Sequence, residues 1–323
     1  MTAASFQGSG PAGKFPSIRK FLANYVLGLQ NWETEDLGFL KRYAAEGGFP
    51  YPSPDGEGMW TYTLANAKDD LARVGVALRW SAIQSCLKGE PGYEATWIRA
   101  TAYEYWGGRA EHRFDQFMLQ DYRNGGRPQY LGMLRLRSAV SSLARVYLLG
   151  WDQETLALTR GILSALSHDA YFDADETSHP RAQFFVLRLL ASHFGLAMPV
   201  DPPFAHDEPI YEFLLEHWQT PDPLRLTDAL LAALDRHTHQ SVRPKRNGPA
   251  SDFSFDEDWY FPYEVLLVLK LRELAGLPNP AAELLAHPLT ATPLGRLPAP
   301  TPVYSDAVLD GVVRRLRSEF PDL

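Results

Sequence analysis

The 323 residues are 45% hydrophobic and 22% charged, the proportions of a globular chain with a sizeable core. A formal net charge of −8 disfavours direct nucleic-acid binding, which needs clustered Lys and Arg on phosphates, and leaves basic proteins open as partners. The single cysteine, Cys86, excludes an intrachain disulfide and clustered-cysteine zinc sites, and no apolar run approaches the roughly eighteen residues that span a bilayer.

Residues 1–16 are small, Gly-rich and polar and read as disordered. They lack the apolar segment of an export signal, so the expected location is the cytoplasm, without membrane contact. Gly8 to Gly13 spell G-x-G-x-x-G, but no strand precedes them and Pro11 interrupts them, so they are not a dinucleotide fingerprint.

Ile18, Phe21, Leu22, Tyr25, Val26 and Leu29 recur at three and four, the spacing of an amphipathic helix, and Glu33 to Ala45 reads as a second. Phe49 to Trp60, rich in Pro, Gly and Asp, reads as a loop. Leu64 to Leu87 predicts a long helix and Tyr93 to Tyr105 another, ended by Gly107-Gly108. Gln129 to Leu149 reads as a strongly apolar helix, and Asp152 to Leu166 follows after a short turn. His168 to Pro180 is a loop dense in acids, and Arg181 to Gly195 resumes a helix apolar around most of its circumference. VDPPFAHDEP marks the best linker, near residue 200. Beyond it Ile210 to Trp218, Leu224 to His237, about Phe261 to Ala275 and Ser305 to Arg317 read as helices. Pro262 suits a first helical turn and Gly276 a helix stop. Apolar helices ending in Leu-x-Gly before a second helix recur at irregular intervals, and no stretch carries a strand signal. The expected fold is all-α: stacked antiparallel αα-hairpins in an irregular, solenoid-like array or bundle. The expected portions are residues 17–199 and 200–323, sharing one core.

Charge is uneven along the chain. Asp201 to Tyr260 holds twelve acids against five Arg and Lys, whereas Arg99 to Arg145 holds eight Arg against four acids. An acidic face steering a basic partner is one reading; solvated helix faces of differing composition are the other. Glu208, Glu212 and Glu216 repeat at i, i+4 and i+8, a like-charge stripe that needs solvation or a positive neighbour. Trp32, Trp60, Trp151 and Trp259 lie at helix ends or loops, where aromatics serve as contact anchors, while Trp80 and Trp97 read as core.

Signals for chemistry are sparse. His237 and His239 form H-x-H, which on a helix points two rings apart, so no metal is expected. H-E-x-x-H, G-x-S-x-G and the P-loop motif are all missing. Cys86, beside Ile83 and Leu87, reads as a buried hydrophobe. Asp69-Asp70 near a helix start are explained by the helix dipole.

The densest acidic-aromatic patch adjoins the most continuously apolar helix, in Ser251 to Leu277. Its segment DEDWYFPYEVLLVLKLRELAGLPN resembles the C-terminal portion of PoNi-type immunity proteins of polymorphic and type VI secreted toxins. Trp259, Tyr260 and Glu264 match the family's aromatic-x-x-x-Glu element, Val265 to Leu274 its core helix, and Leu131 to Gly195 its preceding hairpins. The resemblance implies an all-helical cytoplasmic protein that binds a nuclease toxin and blocks it, with no cofactor and no catalytic residue of its own. The surface expected to meet the toxin combines Asp252, Asp256, Glu257, Asp258 and Trp259 with Asp173, Asp175 and Glu176. Two other readings stay open: a helical-repeat scaffold for an endogenous protein or peptide, and a helical enzyme using carboxylates such as Asp69, Asp70 and Glu264.

Overall fold

A computed structural model describes residues 28–53, 58–125, 134–175, 178, 180–242 and 251–323. The expected disordered start, most of the first expected helix, Glu176 and most of the loop before Ser251 lie outside the described residues. The elements in chain order are α1 (Gly28–Glu46), β1 (Phe49–Pro52), β2 (Met59–Tyr62), α2 (Leu64–Lys88), α3 (Tyr93–Arg123), α4 (Leu136–Leu148) and α5 (Asp152–Leu166). Then come α6 (Arg181–His193), α7 (Pro209–His217), α8 (Leu224–Gln240), α9 (Tyr263–Leu274), α10 (Ala281–Leu284), α11 (Pro288–Ala291) and α12 (Ala307–Glu319). Twelve α-helices against one two-stranded sheet, among the described residues, make the protein predominantly all-α.

Among the described residues the chain divides into two compact units: a continuous one, within Gly132–Thr301, and a discontinuous one, within Leu22–Leu131 and Pro302–Leu323. The linker expected near residue 200 falls inside the continuous unit.

In the discontinuous unit α2 and α3 run along each other as an antiparallel hairpin. Glycine sets how close they come. A Cβ on Gly75 would meet Glu104 N at 2.9 Å, and one on Gly107 would meet Ala72 N at 3.0 Å. Gly107 therefore serves interhelical contact, and α3 continues through the expected Gly107-Gly108 break to Arg123. The buried Arg79–Glu104 pair, 3.2 Å, crosses the same seam. The Thr63 N–H donates to Asn66 Oδ1 at 3.0 Å and fixes the start of α2.

The expected loop Phe49 to Trp60 contains β1 and β2, paired antiparallel with Phe49 opposite Tyr62 and Tyr51 opposite Trp60. Stacking across the pair, 4.6 Å between the Phe49 and Tyr62 rings, holds the hairpin. Pro50 and Pro52 made the segment read as loop. In the hairpin Pro50 stands opposite Thr61 and Pro52 opposite Met59, alternating with Phe49 and Tyr51, and they leave β1 an outer edge poor in N–H donors.

The returning α12 packs on α1 and α3. Asp306 caps it, accepting from Val308 N and Leu309 N at 3.0 and 2.9 Å and from the Tyr103 hydroxyl at 3.1 Å. Burial raises the Asp306 pKa, but these hydrogen bonds and the Arg99 charge outweigh it and hold the carboxyl below its ordinary value. Tyr43 donates to Glu319 at 2.7 Å and ties α1 to the end of α12.

In the continuous unit α9 touches α4, α6 and α8 and so forms the hub. Pro262 precedes α9 as its cap residue, so the helix begins at Tyr263, two residues after the expected Phe261. Every residue from Tyr263 to Arg272 is buried, and each fully buried Leu or Val there stabilises by about 1.5–3 kcal/mol.

Candidate functional site

A helix buried all round from Tyr263 to Arg272 must satisfy the polar side chains of that stretch internally. Arg272 does so by donating to the Trp218 and Thr220 carbonyls at 2.5 and 2.8 Å, to the Pro278 carbonyl, and to Asn279 Oδ1 at 3.2 Å. Glu264, fully buried, meets His237 Nδ1 at 2.9 Å. The other ring nitrogen of His237 lies 3.1 Å from the Asp258 carbonyl, which can only accept, so Nε2 carries a hydrogen. His237 also packs on Phe253, with ring centroids 3.8 Å apart. This His–Glu pair is closed to solvent and ties α8 to α9.

Around that centre lie three carboxylates, each met by an arginine from another segment. Asp252 pairs with Arg236 at 2.6 Å and accepts from Ala182 N at 3.3 Å, while Arg236 also holds Glu208 at 2.5 Å. Burial lowers the Arg236 pKa, but the charges of Asp252 and Glu208 overcome it and hold the guanidinium above its ordinary value. Asp258 accepts from the Ser141 hydroxyl at 2.6 Å, and Arg145 donates to the same hydroxyl at 2.7 Å. Asp173 accepts from Leu136 N at 2.6 Å and pairs with Arg137 at 3.2 Å, while Arg137 donates to the Ser251 carbonyl at 3.0 Å. Gln183 joins the set, donating to the Asp252 carbonyl and the Tyr263 hydroxyl, both at 2.9 Å.

The acids expected to form a docking face are therefore interior groups. Asp252, Asp258 and Asp173 are 2%, 3% and 6% exposed, and Asp256 and Trp259 are buried too. Trp259 Nε1 donates to the Phe253 carbonyl at 3.0 Å, and Tyr260 is buried beside it. The physical reason is charge pairing: a carboxylate can leave water where a guanidinium and backbone N–H groups replace it. Only Glu257, half-buried, and Asp175, exposed, reach solvent from the expected set; Glu176 lies outside the described residues.

Sequence reasoning missed the arginines. Arg137, Ser141 and Arg145 repeat every four residues in α4, a polar stripe on a helix otherwise read as apolar. That spacing was the available signal. The Glu208–Glu216 stripe also resolves into pairs: Glu208 with Arg236, and Glu212 with Arg188 at 2.9 Å. Of the four candidate anchors, Trp151 and Trp259 are core, while Trp32 and Trp60 are 40% and 50% exposed.

Exposed acids lie elsewhere on the continuous unit, at Asp169, Asp175, Asp201, Asp207, Glu216, Asp222 and Asp228. Between the end of α5 and the start of α6 a cleft of about 480 Å³ opens, floored by Leu166, Phe184, Val200 and Pro202. Asp169 and Asp175 line it as well, together with Phe172.

In the discontinuous unit Tyr62 donates to Asp70 at 2.6 Å, and Arg73 bridges Asp70 and Asp36, the latter at 2.8 Å. Burial raises the Asp70 pKa to about 6 in spite of Tyr62 and Arg73, with the Asp36 charge adding to the rise. Asp69 is exposed and pairs with Lys68 at 2.6 Å. Exposed Trp60 and Met59 extend from the sheet, and Phe39 of α1 lies 6.0 Å from Tyr51. Among the described residues no group of three or more His, Cys, Asp or Glu is placed to hold a metal ion, and no helix is long and apolar enough to cross a membrane.

The fold and these clusters define a helical protein whose interior acids are matched by arginines and, at Glu264, by a histidine, and whose outer acids are open to solvent. No family model, no curated protein and no solved structure matches the chain.

Proposed function

We propose that the chain is an immunity-type inhibitor that binds a secreted antibacterial toxin, a nuclease with a basic substrate groove, and occludes it. The observation that carries this reading is the run of exposed carboxylates from Asp201 to Asp228, where Asp201, Asp207, Glu216, Asp222 and Asp228 face water around α7 and the start of α8. Such a surface attracts a groove built for phosphates and speeds its capture. The resemblance of Trp259, Tyr260 and Glu264 to the PoNi-type element supports the same reading through their place at the hub. These three residues support the fold, and toxin contact is left to the outer acids. The test is a nuclease assay with any toxin domain encoded beside this gene. Inhibition that saturates at one chain per toxin is expected; full nuclease activity at excess chain, with no complex on gel filtration, refutes the reading.

A second reading, a scaffold for an endogenous protein, is favoured by one observation: the exposed Trp32, Phe39, Met59 and Trp60 of the discontinuous unit. Affinity purification from the source organism separates the two. A toxin domain in the eluate supports the inhibitor, and a housekeeping subunit recovered in its place supports the scaffold.

A further inference from the structure

The cleft beside α5 and α6 combines three properties that belong together in a receptor for a basic side chain. Its floor is apolar and backed by the buried Phe184 and Leu166. Its wall, the segment after α5, is anchored from behind. Phe172 N donates to the Leu134 carbonyl at 3.2 Å, and buried Asp173 accepts from Leu136 N at 2.6 Å. With Asp173 turned to that structural task, its neighbours Asp169 and Asp175 remain exposed and line the cleft. Asp169 makes no ion pair among the described residues and sits at φ 54°, a left-handed conformation that Asp tolerates better than most residues. Asp175 accepts from Ser178 N at 2.9 Å, and Asp201, also exposed, follows Val200 of the floor. Phe172, 52% exposed, already carries the Arg135 guanidinium 5.5 Å above its ring.

We infer that this cleft receives a basic segment of the partner protein, with Lys or Arg stems lying on Phe172 and Val200 and their charged heads reaching Asp169 and Asp175. The inference rests on the inhibitor reading for the identity of that partner. A volume of about 480 Å³ leaves room for a long side chain. An acidic segment is repelled by the two carboxylates. A purely apolar one would strip them of water without replacing it, which costs more than the contact returns. A long cationic side chain suits both halves of the cleft, since its methylenes bury while its head group stays polar.

The test uses the full chain and two fluorescein-labelled hexapeptides, one alternating Arg with Leu and one alternating Glu with Leu, followed by fluorescence anisotropy. Asp169→Asn and Asp175→Asn are combined, because Asn keeps the left-handed backbone at 169 and the Ser178 hydrogen bond at 175. Phe172→Ala is a second, independent variant at a half-exposed ring. The Arg peptide is expected to bind and the Glu peptide not. Two exposed ion pairs imply that the double Asn variant weakens Arg-peptide binding about tenfold. Equal affinity for wild type and both variants, or no binding of the Arg peptide to wild type, overturns the inference. The nuclease assay judges the inhibitor reading without reference to the cleft, so the two fail separately.

Discussion

Asp258, Asp252 and Asp173 each place a negative charge in the interior against an arginine of another segment, and removing one partner strands the other. Asp252→Ala leaves Arg236 with a buried charge met only by Glu208, and a loss of about 3–5 kcal/mol is expected in urea unfolding. Lysines at 252, 256, 257 and 258 would put like charge beside Arg236 and Arg145, so the continuous unit is expected to lose its helical circular dichroism altogether. Retained helicity in that variant would contradict the pairing. Asp70 behaves in the opposite sense. Its folded pKa of about 6 stands above its ordinary 3.8, so its contribution to stability is complete below about pH 4 and is lost as pH rises through 6. That loss amounts to about 3 kcal/mol. Asp70→Asn is expected to remove this component, and the difference between wild-type and variant melting temperatures, followed from pH 4 to 7, measures it. A constant difference would place the carboxyl at an ordinary pKa.

At the scale of elements, Gly75 and Gly38 predict opposite outcomes for one substitution. Gly75→Ala presses a methyl group against Glu104 N of α3, and about 1–3 kcal/mol of destabilisation is expected from the overpacked seam. Gly38 of α1 is exposed with nothing within 4 Å of an added Cβ, so Gly38→Ala is expected to stabilise by about 0.5–1 kcal/mol. Thermal unfolding of the two variants checks both signs. The same glycines show what was legible in the sequence. Helices with continuous apolar spacing, such as Asp152 to Leu166, were readable to the residue, because periodicity and burial agree there. Gly107-Gly108 was read as a stop, because spacing along one helix says nothing about a neighbour that needs room. The hairpin was hidden by Pro50 and Pro52, whose places opposite Thr61 and Met59 become visible only once the register is known.

At the scale of the whole molecule, the acid excess of Asp201 to Tyr260 was legible, but which of those acids meet water was not. Arg145, which faces Asp258, lies more than a hundred residues away from it in the chain, so that pairing was a property of the fold. What the fold leaves outside is the set around α7 and the start of α8. Neutralising Glu216, Asp222 and Asp228 as Glu216→Gln, Asp222→Asn and Asp228→Asn retains the Leu224 hydrogen bond at 222 and is expected to leave the unfolding midpoint unchanged. Association with a basic toxin is expected to slow by about tenfold or more at low salt, with the gap closing as salt rises. The most direct measurement is survival of bacteria that express such a toxin together with this chain. Survival restored by the wild-type chain, and lowered by the triple neutralised variant at equal expression, is the predicted result. Killing undiminished by the wild-type chain would contradict the account.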